Sequence, residues 1–86
     1  MTYSIAFTDE ASEMLSRLDK SIQIRLFKKI VQLEREDFSS RHLKQGLPFF
    51  VEEAGGYRIV FEMNEREKKK VVLFVGDHKQ YEKWYS

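Results

Sequence analysis

FFVEEAGGYRIVFEMN, residues 49–64, is the stretch on which the fold turns. Gly55-Gly56 separates two runs of strand-forming residues, and both glycines can take the positive φ that a tight hairpin requires. Phe49 to Ala54 reads as one strand. In the other, Tyr57, Ile59, Phe61 and Met63 alternate with Arg58, Val60, Glu62 and Asn64. That period of two sends the two sets to opposite faces of a sheet. Downstream, Asn64 to Lys69 is a charged connection. Val71-Val72-Leu73-Phe74-Val75 is apolar throughout, as expected of a central strand buried on both faces. Gly76-Asp77 ends it, and His78 to Tyr85 reads as a short terminal helix or an aromatic-bearing tail.

Upstream of the hairpin the period changes. Tyr3, Ile5 and Phe7 alternate with Thr2, Ser4 and Ala6, a first strand with one buried face. Thr8 offers an N-cap hydroxyl, and Asp9 and Glu10 suit the positive end of a helix. Ala11, Met14, Leu15 and Leu18 follow at helical spacing. Asp19 is a candidate cap for a second helix, whose apolar stripe is Ile22, Leu26, Phe27, Ile30, Val31 and Leu33. A face that wide demands a sheet to cover. Its other side carries Lys20, Arg25, Lys28, Lys29 and Arg35. Glu36 to Gln45 is polar, and Gly46-Leu47-Pro48 makes a turn.

The order is β-α-α-β-β-β plus a short C-terminal segment. It predicts an α+β fold, with a helical hairpin packed on one face of a small, mainly antiparallel sheet. The last three strands form a meander, and the sheet face away from the helices is left open for a ligand or macromolecule.

Composition narrows the function classes. The chain has 86 residues, so residues 1–86 read as a single domain with a thin core. Cysteine is absent, which removes disulfide scaffolds, Cys-ligated zinc and thiol chemistry. No apolar run approaches a membrane span and no signal peptide is visible, so the expected compartment is the cytosol, with no membrane partner. The net charge is +1, from 15 Lys and Arg against 14 Asp and Glu. Bulk charge therefore excludes a strongly polybasic nucleic-acid binder, while leaving room for a local basic patch.

Three segments carry a family resemblance. They are Leu43-Lys44-Gln45-Gly46-Leu47-Pro48, Gly56-Tyr57-Arg58-Ile59-Val60-Phe61 and Val75-Gly76-Asp77-His78-Lys79-Gln80-Tyr81. Each is weak alone, but their order and spacing resemble the RelE/ParE superfamily of toxin–antitoxin toxins over nearly the full length. The resemblance implies the toxin of a type II system, neutralised by a cognate RelB-like antitoxin. RelE-branch relatives are ribosome-dependent endoribonucleases (mRNA interferases) that act on ribosome-bound mRNA and inhibit translation. ParE-branch relatives instead inhibit DNA gyrase by protein contact. A toxin fold without chemistry, serving as a binding partner, is the third reading.

Metal-free RNA cleavage needs no cofactor. A base takes the 2′-OH proton, an acid protonates the departing 5′-oxygen, and cations stabilise the phosphorane. Arg58, His78, Tyr81 and Tyr85 are the catalytic candidates. In the resembling family an Arg after Gly-Tyr holds the scissile phosphate, and Arg58 matches it; a guanidinium there grips phosphate bidentately. The alternative is a pair with Glu62 on the same strand face. An imidazole can give or take a proton near neutral pH, so His78 suits proton transfer, or is simply a surface or helix-cap histidine. Tyr81 and Tyr85 share a helix face for stacking on a base or for phenol chemistry. The alternative, favoured for Trp84, is an aromatic clasp tying the tail to the sheet.

Arg41, His42, Lys44 and Lys79 are candidate RNA-binding residues, since phosphate contacts supply sequence-independent affinity. Lys20, Arg25, Lys28 and Lys29 form a second basic region. Such runs, including Arg66, Lys68, Lys69 and Lys70, also read as solvated charge. One departure stands out. Where ribonuclease relatives carry lysines on the strand before Gly-Tyr-Arg, this chain has Glu52 and Glu53, which would repel phosphate unless they face away or act as a base. The chain then more resembles the His-using branch.

Overall fold

The computed structural model describes residues 2–35, 41–42 (backbone only) and 49–85. The elements are β1 (Ser4–Phe7), α1 (Asp9–Ser16), α2 (Lys20–Gln32), β2 (Arg41–His42), β3 (Phe49–Ala54), β4 (Tyr57–Asn64), β5 (Lys69–Asp77) and α3 (His78–Tyr85). The α+β order expected from the sequence is present, with the two-residue β2 added ahead of the hairpin. The Gly46-Leu47-Pro48 turn and most of the polar segment before it lie outside the described residues.

Strand order in the sheet is β1-β5-β4-β3-β2. β3, β4 and β5 form the antiparallel meander, and β1 runs parallel to β5. Gly55 and Gly56 turn the hairpin with φ of 55° and 86°, values at which a Cβ is strained. The two-residue loop then dictates register: Ala54 lies opposite Tyr57, Glu53 opposite Arg58 and Glu52 opposite Ile59.

The main core lies between the helical hairpin and one sheet face. Ala11 and Leu15 of α1 and Leu26, Ile30 and Leu33 of α2 and its cap pack on Phe50, Ile59, Phe61, Val72 and Val75. Thr8 caps α1 as its sequence suggests, its hydroxyl accepting from the Ala11 N–H at 3.0 Å. Asp19 precedes α2 but makes no side-chain cap bond. Instead the Gln23 amide folds back and donates to the carbonyls of Leu18 and Ser16, closing the interhelix turn.

Two sequence expectations fail on burial. The apolar stripe of α2 was read too wide: Phe27 and Val31 point outward at 47% and 59% exposure. A helix on a sheet covers only about a third of its circumference, and Leu26, Ile30 and Leu33 fill it. Lys70 was read as part of a solvated charge run, yet it is only 2% exposed. It lies in β5, not in the connection, and its ammonium donates to the Leu33 carbonyl at the end of α2 at 2.7 Å. The Tyr3 and Phe61 rings flank it, with centroids 4.5 and 5.4 Å away.

β5 contains a bulge. Phe61 pairs with Val72 while Val60 pairs with Phe74, leaving Leu73 as the extra residue. A bulge shifts the alternation by one, so Val72 and Val75 both face the helices while Phe74 turns to the second face. No helix among the described residues is long and apolar enough to cross a membrane.

Candidate functional site

The second face of the sheet carries Val51, Val60 and Phe74, joined at its margins by Met14 and Tyr81. It is not an open hollow from edge to edge, because α3 folds back across its β4–β5 end. The return is built by a reciprocal cap. The Gln80 N–H donates to Asp77 Oδ1 at 2.8 Å, and the Asp77 N–H donates to Gln80 Oε1 at 2.9 Å. This is a capping box, with an acid before the helix and an amide three residues later. Gly76 makes room for it: a Cβ there would stand 2.8 Å from both Gln80 Oε1 and the Phe74 ring.

Aromatic contacts then fasten α3. Trp84 lies 5.1 Å and Tyr81 6.1 Å from Phe74, centroid to centroid, and Tyr85 lies 5.7 Å from Tyr81. The aromatic clasp foreseen for the tail is therefore present, including the edge packing of Trp84. In the same arrangement Tyr81 meets Arg58, whose guanidinium carbon is 4.9 Å from the phenol ring centroid.

Arg58 is the centre of this surface. Its cross-strand neighbours are Glu53 on β3 and Gly76 on β5. Its guanidinium pairs with Glu53 Oε1 at 3.5 Å, not with Glu62. The reason is geometric: directly opposed residues bring their Cβ atoms to about 5 Å, closer than the roughly 6.7 Å between alternate residues along one strand. Arg58 is 22% exposed and Glu53 50%, so both reach solvent from the sheet.

The two adjacent carboxylates divide. Glu52 faces the helices and pairs with Lys29 of α2 at 3.4 Å, whereas Glu53 joins the Arg58 face. Glu53 is the site residue that sequence reasoning left unassigned. The signal was available, because a two-residue loop at Gly55-Gly56 obliges 53 and 58 to face each other.

The structure thus links three of the four catalytic candidates, Arg58, Tyr81 and Tyr85, in one chain of contacts. His78 begins the same helix, but its imidazole Nε2 pairs with Glu82 Oε1 at 2.7 Å, both side chains more than half exposed. Lys79 is exposed on the first turn of α3. Arg41 and His42 belong to the edge strand β2, opposite Val51 and Phe50, with only their backbone described. Lys44 lies outside the described residues. Of the second basic region, Lys29 is engaged with Glu52, and the Arg25 guanidinium lies over the Gly55 turn, where a Cβ would meet it at 2.9 Å.

Chemically, this surface combines a cation, a carboxylate in contact with it and two phenol rings tilted against each other. A guanidinium held by an aromatic face and one carboxylate oxygen keeps further N–H donors for an oxyanion. The carboxylate is a proton acceptor and the rings offer stacking surface.

No family model and no curated protein matches the chain. Solved structures do. The RelBE2 toxin–antitoxin complex of Mycobacterium tuberculosis aligns with a TM-score of 0.80 at 22% identity, over 91% of this chain and 100% of that one. A free Escherichia coli RelE toxin bearing two arginine-to-alanine substitutions gives 0.81 at 22% identity, over 99% and 93%. The archaeal RelE–RelB complex of Pyrococcus horikoshii gives 0.72 at 21% identity, over 90% and 96%. At these identities and TM-scores the likeness is one of fold, and this chain has the RelE toxin fold.

Proposed function

We propose that the protein is the toxin of a type II toxin–antitoxin system, held in check by a RelB-like antitoxin, and that it cuts ribosome-bound mRNA. The observation that carries the reading is the Arg58–Glu53 pair on the sheet face away from the helical hairpin, with Tyr81 against the guanidinium. Arg58 grips the scissile phosphate and neutralises the charge that grows on it. Glu53 takes the proton from the 2′-OH, whose oxygen attacks the phosphorus. His78 returns a proton to the departing 5′-oxygen, leaving a 2′,3′-cyclic phosphate and a 5′-hydroxyl. Tyr81 and Tyr85 hold a base by stacking, and Arg41, His42, Lys44 and Lys79 supply phosphate contacts.

Expression without antitoxin, followed by mapping of mRNA 5′ ends, tests this reading. Wild type should arrest growth and produce discrete cuts. Arg58→Ala should abolish both, and Glu53→Gln should slow cutting by roughly 10²–10⁴-fold, the usual worth of a general base. Strong toxicity with intact mRNA and lost gyrase supercoiling would replace the nuclease with a gyrase inhibitor. The Glu53–Arg58 contact also favours a second reading, a toxin fold whose phosphate-gripping cation is neutralised. Absence of toxicity and cuts, with antitoxin binding intact, would establish it.

A further inference from the structure

Glu82 has no role in the site above, yet it holds the one histidine assigned to it from α3. His78, Tyr81, Glu82 and Tyr85 stand at positions i, i+3, i+4 and i+7, which share one stripe of the helix. That stripe borders Arg58, because Tyr81 lies against the guanidinium and Arg58 pairs across the sheet with Gly76, two residues before the helix begins. His78 Nε2 and Glu82 Oε1 are 2.7 Å apart. An ionised carboxylate only accepts, so the proton in that bond sits on Nε2. Among the described residues neither side chain has another polar partner, and Lys79, three residues before Glu82, makes no ion pair. The Nδ1 edge of the imidazole is therefore the one open to an incoming molecule. The Asp77–Gln80 cap fixes the first turn from which His78 projects.

We propose that Glu82 is a positioning residue for His78 in RNA cleavage. The inference rests on the nuclease reading, in which His78 protonates the departing 5′-oxygen. With Nε2–H bound to Glu82, the ring is turned so that Nδ1 meets the RNA. The reacting ring is the imidazolium, with a proton on each nitrogen. As the 2′-oxygen bonds to phosphorus, the P–O5′ bond breaks and its electron pair takes the Nδ1 proton. The imidazole left behind keeps its Nε2 proton on Glu82 and regains the other from solvent. A carboxylate on the far nitrogen fixes which edge of the ring reacts and offsets its positive charge, the part such groups play in acid–base sites on unrelated folds. In the free protein both side chains are more than half exposed, so the pair adds little to stability. RNA laid along the stripe displaces that water and strengthens the contact.

The test is single-turnover cutting of one mRNA on programmed ribosomes by the full chain, at the site mapped with wild type. Glu82→Ala should slow the chemical step by roughly 10–100-fold without changing the ribosome concentration at half-maximal rate. Glu82→Gln, which keeps an acceptor oxygen, should lose less. His78→Ala should lose more, and adding Glu82→Ala to it should cost nothing further, since the two residues act as a unit. An mRNA with sulfur in place of the bridging 5′-oxygen at the cut needs no acid, because a thiolate leaves unprotonated. It should bring all three single variants to within a few-fold of wild type, while Arg58→Ala stays slow. Wild-type speed in Glu82→Ala would overturn the proposal, as would equal slowing on the oxygen and sulfur substrates or additive losses with His78→Ala. Nitrogen-15 spectra of the free chain that place the proton of the neutral His78 ring on Nδ1 would overturn it too. Those outcomes leave wild-type cutting intact, whereas mRNA uncut by wild type would remove the nuclease reading and this inference together.

Discussion

Lys70 is a lysine held as a core residue. Burial pushes its pKa below the ordinary value of 10.5, and the Glu52 carboxylate pulls partly back. The sign of the consequence follows from proton counting. Between the lowered folded value and the unfolded 10.5, the unfolded chain binds the proton more fully than the folded one, so stability rises with pH across that window. Below it both states are charged, and the fold bears the cost of dehydrating the ammonium. Lys70→Met should therefore flatten the alkaline rise, as measured by urea unfolding at a series of pH values. Parallel curves would refute the buried ammonium. This residue was invisible in the sequence, where Lys68-Lys69-Lys70 looks like one charged run. Strand alternation, once β5 starts at Lys69, turns only the last of them inward. Arg58 is the opposite case: its alternation with Tyr57 and Ile59 was plain, and so was its sheet face.

Among the elements, α3 rests on little. It is eight residues long, has no buried residue, and is held by the Asp77–Gln80 cap and by Phe74. Isolated helices of this length are not stable in water, so the cap matters. Asp77→Ala should remove about 1 kcal/mol and fray α3 locally while the sheet stays folded. Trp84, the chain's one tryptophan, sits on Phe74 and reports it: its emission should shift to the red before the global transition. An unchanged spectrum would show that the aromatic clasp alone suffices. Loss of α3 also takes Tyr81 off Arg58, so fraying exposes the guanidinium. The short tail could be read as helix or loop from its sequence, because local propensity at this length does not choose between them. The Asp77-x-x-Gln80 spacing carries the signal for a helix, and the sequence reading passed it over.

At the scale of the molecule, stability rests mainly on the core between the helical hairpin and the sheet, and it is thin. A domain of this size holds roughly 4–13 kcal/mol in all. Leu26 has 0% exposure and sits between the hairpin and the sheet. Leu26→Ala should cost about 2–5 kcal/mol, lowering the urea midpoint sharply with the slope unchanged. The neighbouring Phe27→Ala should cost well under half of that, since 47% of its surface is already in water. Equal losses would mean that α2 is rotated from the orientation described. The sequence could not separate these two residues, because both are apolar and adjacent on the helix. Only the sheet decides which of them it covers.

Local chemistry was enough for β1, α1, α2 and the β3–β5 meander: period-two and helical spacing, the glycine pair of the hairpin and the Thr8 cap each depend on residues close together in the chain. The register of 53 against 58 follows from the same hairpin. Assembly of the second face required contacts between distant residues. Val71 to Val75 is apolar at every position, so no alternation marks the extra residue, and the bulge at Leu73 emerges only from pairing with β4. That bulge turns Phe74 toward α3, and Phe74 in turn seats Tyr81 against Arg58. A uniformly apolar strand carries no record of which side it presents; its partners across the sheet impose one.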